Sequence, residues 1–272
     1  MFQRKQTLHY KYSSINSIQL IEKNEFFISM TFEFNDYCKA AFSVDNVVFG
    51  FDEGDLKILL IKRGMYPFEN MWALPGDLVN MDEDLNQAAE RVLKQLTGLS
   101  NLYLEQVHSF GQVGRHPQGR VITVAYYSLV KISDFRVKAA SWAAKAEWHS
   151  ISKVENLAFD HNKILESCIA SLRARVKSRP VGFELLPPKF TLTELQHLYE
   201  AVLGYKIEKR NFRKKILTTD FIVDLNESQE GVAHRPARLY EFDKAKYQDI
   251  LKSGYVFDFA FSPDHSAKML PA

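Results

Sequence analysis

Hydrophobic and polar residues follow two alternating patterns in the N-terminal half of the chain. The apolar runs AFSVDNVVFGF (residues 41–51) and LKILLIKR (residues 56–63) flank the polar turn DEGD, and this arrangement predicts a β-hairpin with largely buried strands. From Asp84 to Thr97 the apolar residues recur at helical spacing, and Gly98 follows as a typical helix C-cap. A strand pair and a helix are therefore predicted in succession.

Strand and helix patterns then repeat. β-Branched and aromatic residues predict strands at 103–110 and 121–129, with a further short strand at 146–149. Helical spacing returns at 160–176, where Asp160 is placed to cap the helix. Elements in this order predict an α/β sandwich with helices packed on a mixed sheet.

A proline-rich segment at 178–189 interrupts this regularity and marks the best domain boundary. Beyond it, a capping box that begins at Thr191 predicts a helix ending at Gly204, and a short helix is predicted at 208–217. The apolar stretches FIVDL and RLYEF then flank a polar loop at 226–238, which is a strand, wing, strand pattern. Together these elements predict a winged helix-turn-helix.

These boundaries divide the 272 residues into four predicted parts. They are an N-terminal extension (1–38), the α/β domain (39–178), the winged helix (179–258) and a C-terminal tail (259–272). Two domains suit a chain of this length.

The amino-acid composition is typical of a globular protein. The chain is 46% hydrophobic and 25% charged, and its net charge of +2 says little about partners because a basic patch can hide in a balanced total. Cys38 and Cys168 are the two cysteines, and their wide separation predicts reduced thiols rather than a metal or disulfide site. We find no secretory leader and no membrane-spanning stretch in the sequence, so a cytoplasmic location without membrane contact is expected.

Residues 76–99, GDLVNMDEDLNQAAERVLKQLTGL, resemble the Nudix box without gaps. Glu83 and Arg91 match its glutamate and arginine, whereas Asp77 replaces its first glycine. The positions of its metal-binding acids hold Val92, Gln95 and Leu96.

The missing acids predict a protein that is not an enzyme. Nudix enzymes cleave diphosphates with hard divalent cations, which require carboxylate ligands on one helix face. Glu83 alone is a poor metal site, so no catalytic residue, metal or cofactor is expected. The plainer explanation of Val92 and Leu96 is that they extend the apolar stripe of the helix, and this explanation also removes the ligands.

In Nudix domains the ligand lies beside this helix, which directs attention to polar residues at strand ends and loops. Arginines and a helix N-terminus suit phosphates or hydroxyls, and an aromatic face suits a sugar or base. Each side chain also has a purely structural alternative, such as a core position for Trp72. The candidate effector-binding residues are Lys62, Arg63, Trp72, Arg115, His116, Arg120, Asp160 and His161.

The second helix of the predicted winged helix is strongly basic. Six basic residues against one acid, Glu208, occur between residues 206 and 215, and a basic outer face suits a helix that enters the DNA major groove. Such a face is more often simply solvated, so it supports DNA binding only together with its context. The candidate DNA-binding residues are Thr191, Lys206, Lys209, Arg210, Asn211, Arg213, Lys214, Lys215, His234, Arg235 and Arg238.

A second resemblance, in the sequence around this basic helix, supports DNA binding. Residues 185–242, including LLPPKFTLTELQHLYEAVLG and KRNFRKKIL, are similar to the winged helix of Nudix-related transcriptional regulators of the NrtR family. With the degenerate box, the resemblance covers about residues 40–245. It implies a homodimer that binds a pseudo-palindromic double-stranded DNA operator and is released by a small-molecule effector.

The sequence leaves two alternatives for the effector. One is a pentose sugar such as arabinose, and the other is ADP-ribose. The stretch RVLKQLTGL is similar to sugar-responsive Bacteroidetes members, and an apolar Val92/Leu96 patch would favour a neutral ligand, so a repressor of sugar catabolism is the preferred expectation. The loop GRHPQGRVITVAYY resembles ADP-ribose-type members. The rival functions are an active hydrolase of nucleoside diphosphate sugars and a protein-interaction module.

Overall fold

The computed structural model describes residues 17–18, 32–33, 39–52, 54–180, 182–233, 235–254, 259 and 261. The chain divides into two compact units, Met1–Ala41 and Phe42–Ala272. In the first unit, strands β1 (Ser17–Ile18) and β2 (Phe32–Glu33) pair in antiparallel fashion.

A seven-stranded sheet forms the centre of the α/β domain. The long β3–β4 hairpin pairs Phe49 with Ile58 and Asp52 with Asp55, as the apolar runs predict. The strand order is β5-β4-β3-β8-β7, with β6 paired to β3 and β9 paired to β4. The strands are β3 (Ala41–Asp52), β4 (Asp55–Arg63), β5 (Trp72–Ala73), β6 (Gly76–Leu78), β7 (Glu105–Phe110), β8 (Val121–Lys131) and β9 (Ala143–Ser150).

Two helices complete this domain. Helix α1 (Leu85–Thr97) is bounded as its sequence predicts, with a capping box at Asp84 and the left-handed Gly98 at its end. Helix α2 (His161–Ser178) also occurs where it is predicted, but Asp160 makes no side-chain capping bond. That part of the prediction is wrong because the Asp160 carboxylate is held by Arg115 instead.

The winged helix contains the predicted elements and one more. Thr191 and Glu194 make the expected capping box, and Gly204 ends the first helix. The additional element is a third helix directly after the hairpin, which sequence reasoning missed. The elements are α3 (Leu192–Leu203), α4 (Lys209–Leu217), β10 (Ile222–Ser228), β11 (Arg238–Phe242) and α5 (Lys244–Lys252).

The winged helix and the α/β domain share a continuous hydrophobic core. This core includes Leu172 and Val176 on α2 together with Leu195 and Leu198 on α3. Hydrogen bonds cross at the same place, since Arg173 Nε donates to the Val202 carbonyl at 2.9 Å. Helix α2 therefore joins the two domains mechanically.

Cys168 is a fully buried free thiol in this core, as predicted, and burial raises its pKa to about 12. Cys38 lies outside the described residues. Within the described part of the chain, no helix is long and apolar enough to span a bilayer.

Candidate functional site

A buried ionic cluster lies where α2 begins. Arg115, from the loop between β7 and β8, donates from Nε to Asp160 Oδ2 at 2.9 Å and from Nη2 to Asp160 Oδ1 at 2.6 Å. The same Nη2 lies 4.0 Å from Asp45 Oδ2 on β3. Because the Arg115 side chain is only 5% exposed, its charge depends on these carboxylates for compensation.

His161 completes the cluster. The Leu74 amide donates to its Nδ1 at 3.0 Å, so the hydrogen of the neutral ring is on Nε2, which lies 3.5 Å from Asp45 Oδ1. Burial lowers the pKa of His161 and raises the pKa of Asp45. The cluster thus fixes the His161 ring between a strand and the loop before the Nudix box.

Sequence reasoning found Arg115, Asp160 and His161 but missed Asp45 and Thr123. The Thr123 hydroxyl accepts a hydrogen bond from Arg115 and bonds to Ser43. A signal was present, because Asp45 is an acidic residue inside an apolar run whose neighbours are fully buried. A buried acid in a strand generally requires a partner elsewhere in the fold.

An aromatic cluster adjoins the ionic one and is centred on Phe159. The His116 ring stacks on Phe159 at 5.0 Å with an interplanar angle of 15°. The Arg63 guanidinium lies 4.9 Å from the Phe159 ring centroid and 4.9 Å from that of Trp142. Trp142 in turn donates from Nε1 to Asp77 Oδ2 at 3.1 Å. Sequence reasoning identified Arg63 and His116 but neither of the rings that hold them.

The neighbouring loop leaves apolar side chains exposed. Met65 is 47% exposed and Tyr66 is 71% exposed, and the Phe68 ring contacts Phe159 edge-on at 4.7 Å. Cationic and aromatic groups that meet beside exposed rings can bind a ligand having both a flat ring and an anionic or hydroxyl-rich part.

The side chains of three other predicted residues take no part in the ionic or aromatic contacts described above. Lys62 is paired in register with Trp72, and Trp72 packs against the core and against His149 with centroids 4.3 Å apart. Arg120 donates to the Gly111 carbonyl at 2.5 Å and so closes its own loop.

In the degenerate box, Glu83 is bound to Arg91. Arg91 donates to both Glu83 carboxylate oxygens, at 2.8 and 2.6 Å, and these bonds lower the pKa of Glu83 to about 2. Val92 is completely buried and Leu96 is 1% exposed. Among the described residues, no group of three or more His, Cys, Asp or Glu side chains is arranged so that it could hold a metal ion.

The buried state of Val92 and Leu96 corrects one argument made from the sequence. Both side chains belong to the core between α1 and the sheet, so neither forms an apolar patch that a neutral sugar could contact. The preference for a sugar loses its physical basis.

Helix α4 presents a basic outer face. Phe212 and Ile216 are fully buried and anchor the helix, while Glu208 caps it by accepting from the Arg210 amide at 2.9 Å and the Asn211 amide at 2.7 Å. The remaining outer positions point into solvent as predicted. The exposed residues are Lys209, Arg210, Asn211, Arg213 and Lys214.

Other predicted DNA-binding residues have internal contacts. Lys206 donates to Glu200 at 2.7 Å, and Arg238 to Asp224 at 2.9 Å across the wing. The Thr191 hydroxyl is used in the α3 capping box, and Lys215 lies over the Phe261 ring at 5.4 Å. His234 lies outside the described residues, and Arg235 is exposed in the wing loop.

Comparisons with known proteins decide the family. Residues 40–168 match the NUDIX domain model, and residues 182–242 match the NrtR DNA-binding winged helix domain. The chain is 36% identical over 217 residues to the ADPR responsive transcriptional repressor NtrR of Acinetobacter baylyi, which covers 78% of this chain and 86% of that protein. The chain belongs to the NrtR family.

A solved structure and a second curated protein are also similar to this NrtR-family chain. The crystal structure of Shewanella oneidensis NrtR complexed with a 27mer DNA matches with a TM-score of 0.63 and 28% identity, covering 81% of this chain and 99% of that one. ADP-ribose pyrophosphatase of Methanocaldococcus jannaschii is 34% identical over 130 residues, covering 48% of this chain and 73% of that protein.

These matches confirm the fold class and the prediction of a Nudix-domain, DNA-binding regulator of the NrtR family. The sugar-responsive subgroup and carbohydrate metabolism find no support among the relatives described above. The effector-binding and DNA-binding residues and the domain boundaries predicted for this chain remain predictions.

Three histidines of the α/β domain predict a pH dependence. Burial lowers the pKa of His161, His116 and His149 below their usual 6.5, so below pH 6.5 the unfolded chain takes up protons that the folded chain resists. The free energy of unfolding should therefore fall between pH 7.5 and 5.5, as urea denaturation would measure. For the fully buried His161 the slope approaches about 1.4 kcal/mol per pH unit.

A His161→Asn variant separates this effect from that of Asp45, whose raised pKa acts in the opposite direction. The variant should show a clearly shallower loss of stability on acidification. An unchanged slope would contradict the assignment of a neutral, buried His161.

Gly76 begins the Nudix box and touches the ionic cluster. A Cβ at this position would lie 1.8 Å from Asp45 Oδ1 and 2.9 Å from the Val44 carbonyl. We expect Gly76→Ala to lower the free energy of unfolding by about 3 kcal/mol because the strand and Asp45 must move apart. Gly111→Ala is the matched control, since its Cβ meets nothing nearer than 3.8 Å; equal losses in urea denaturation would refute the steric argument.

Proposed function

We propose that this protein is a transcriptional repressor whose Nudix domain binds ADP-ribose and thereby releases the winged helix from its operator. The observation that carries the proposal is the 36% identity to an ADPR responsive transcriptional repressor across both domains. Arabinose and other pentoses are the less supported effectors, because the apolar patch invoked for them is buried.

The site beside α2 suits such a ligand chemically. The exposed Tyr66 offers a flat face to an adenine ring, and Arg63, which donates to the neighbouring Pro67 carbonyl, places positive charge near it. Phosphates are recognised by guanidinium groups, and bases by aromatic faces. Arg63, Arg115, His116, Asp160 and His161 are thus the predicted residues that this site groups together.

We further propose that the domain senses its ligand without cleaving it. Val92, Gln95 and Leu96 supply no carboxylate to a divalent cation, and Glu83 is committed to Arg91. An effector that persists can hold a two-state equilibrium, whereas a rapidly cleaved one cannot. The identity to an ADP-ribose pyrophosphatase favours hydrolysis as the rival function.

For DNA, we propose a homodimer in which α4 of each copy reads one half-site of a pseudo-palindromic operator. The five exposed α4 residues would provide phosphate contacts through lysines and base contacts through Asn211 or an arginine. In this proposal Arg235 and Arg238, both exposed in the wing, would contact the flanking DNA backbone.

The deciding experiment is a selection of genomic fragments by the purified full chain, at about 0.1 M salt because affinity depends steeply on salt. It is repeated with ADP-ribose and with arabinose. Enrichment of one palindromic motif that is lost with ADP-ribose supports the proposal; loss with arabinose alone would replace ADP-ribose by a sugar, and no enriched motif would overturn DNA regulation.

The rival function, hydrolysis of ADP-ribose, is tested on the same preparation of the protein. Magnesium-dependent release of products from ADP-ribose, abolished in a Glu83→Gln variant, would establish a hydrolase and refute non-cleaving sensing. Unchanged ADP-ribose after prolonged incubation supports the proposal.

A further inference from the structure

A cavity at the other end of α2 is separate from the candidate effector site. It has a volume of about 350 Å³ and is lined by residues of β7, β8, α2 and the winged-helix element α5. Arg175, on its wall, follows His161 by 14 residues in the same helix. At a rise of 1.5 Å per residue, the two places are about 21 Å apart.

The cavity has an ordered polar wall. Arg175 donates to Glu105 on the edge strand β7, and the Tyr127 hydroxyl donates to Glu105 Oε2 at 3.3 Å. Tyr127 is only 3% exposed, and burial raises its pKa to about 12, so its hydroxyl remains a neutral donor at physiological pH. Glu105 is therefore compensated within the wall.

Positive charge exceeds negative charge around this cavity. Lys244, at the start of α5, lines it and makes no ion pair within the described part of the chain. Arg179 lies close enough to Tyr127 to oppose the rise of that pKa. Beside these cations the Tyr103 side chain is 76% exposed and leaves a ring available for contact.

We propose that this cavity binds a small phosphorylated compound, with the phosphate at Lys244 and Arg175 and the carbon skeleton against Tyr103. Guanidinium and ammonium groups are the usual phosphate ligands of proteins, and the volume is at the lower end of ligand pockets, which hold roughly 300 to 1,000 Å³. A compound the size of a sugar phosphate fits, whereas a dinucleotide does not.

Occupation of the cavity would connect the two domains chemically. Lys244 belongs to the winged helix, while Glu105, Tyr127 and Arg175 belong to the α/β domain. A ligand held by both favours the arrangement in which they face each other, so the protein would have a second input besides the effector site. This inference goes beyond the proposed function and does not depend on which effector that site binds.

Isothermal titration calorimetry of the full chain tests it, with ribose 5-phosphate, inorganic phosphate and neutral ribose as probes. Ribose 5-phosphate is expected to bind, inorganic phosphate to compete with it, and ribose not to bind. Lys244→Ala and Tyr103→Ala should each weaken ribose 5-phosphate binding about tenfold, the loss of one charged or one aromatic contact.

Lys246→Ala is the matched control. It removes an exposed lysine from the same helix, α5, at a position that does not line the cavity. Lys244→Ala should leave ADP-ribose binding unchanged, which separates this site from the effector site. Absence of ribose 5-phosphate binding, equal binding of ribose, or equal losses in the Lys244 and Lys246 variants would overturn the proposal.

Discussion

A Lys209→Ala, Arg213→Ala, Lys214→Ala triple variant is expected to bind the selected operator about 100-fold more weakly than the unmodified protein at about 0.1 M salt. The three side chains are exposed on α4, whereas Phe212 and Ile216 hold the helix to the core. Alanine preserves helical propensity, so the loss reflects missing phosphate contacts rather than unfolding. Fluorescence anisotropy across a salt series measures both the affinity and its salt dependence.

The salt dependence gives this prediction a second, independent readout. If all three cations contact phosphates, the slope of log affinity against log salt should decrease by about 3. The matched control replaces Lys94, Lys138 and Lys163, three exposed lysines of the α/β domain, and changes the net charge equally. Equal losses in both triple variants would mean that overall charge, not α4, draws the protein to DNA.

The winged helix was predictable because its signals are local. Thr191 and Glu194 are three residues apart and cap a helix together, and Gly204 adopts the left-handed conformation that ends it. Phe212 and Ile216 lie one helical turn apart, so their burial follows from periodicity alone. Nothing outside these short segments is needed to find α3 and α4.

The ionic cluster was not predictable in the same way because its members are far apart in sequence. Asp45, Arg115 and Asp160 come from a strand, a loop and a helix start, and only the packed sheet brings them together. Asp160 shows the consequence, since a local pattern correctly placed it at the N-cap position of α2 but assigned its carboxylate to the wrong partner.

The effector preference shows the limit of comparing motif positions without a structure. Val92 and Leu96 supply no carboxylate where the Nudix box has acids, but their apolar character is not evidence for a contact surface. With exposures of 0% and 1%, these side chains stabilise the core between α1 and the sheet. The residues near Phe159, which sequence spacing does not connect, are the better guide to the ligand.

Arg115→Ala is expected to cause the largest loss of stability, about 3 to 5 kcal/mol in the free energy of unfolding by urea denaturation. The substitution removes the guanidinium that pairs with Asp160 and lies near Asp45, and it leaves both carboxylates largely buried. Arg120→Ala is the matched control from the same loop, because within the described part of the chain the Arg120 side chain donates only to the Gly111 carbonyl, in an exposed position. The control should lose less than about 1 kcal/mol.

The pH dependence of this loss distinguishes charge from packing. Burial raises the pKa of Asp45 and Arg115 opposes that rise, so removing Arg115 raises the pKa further. The folded variant then takes up a proton before the unfolded chain does, and the stability it has lost is partly regained as pH falls from 8 towards 5. A deficit that stays constant over this range would assign the loss to the missing side-chain volume. A deficit that shrinks shows that Arg115 stabilises the start of α2 by compensating buried negative charge.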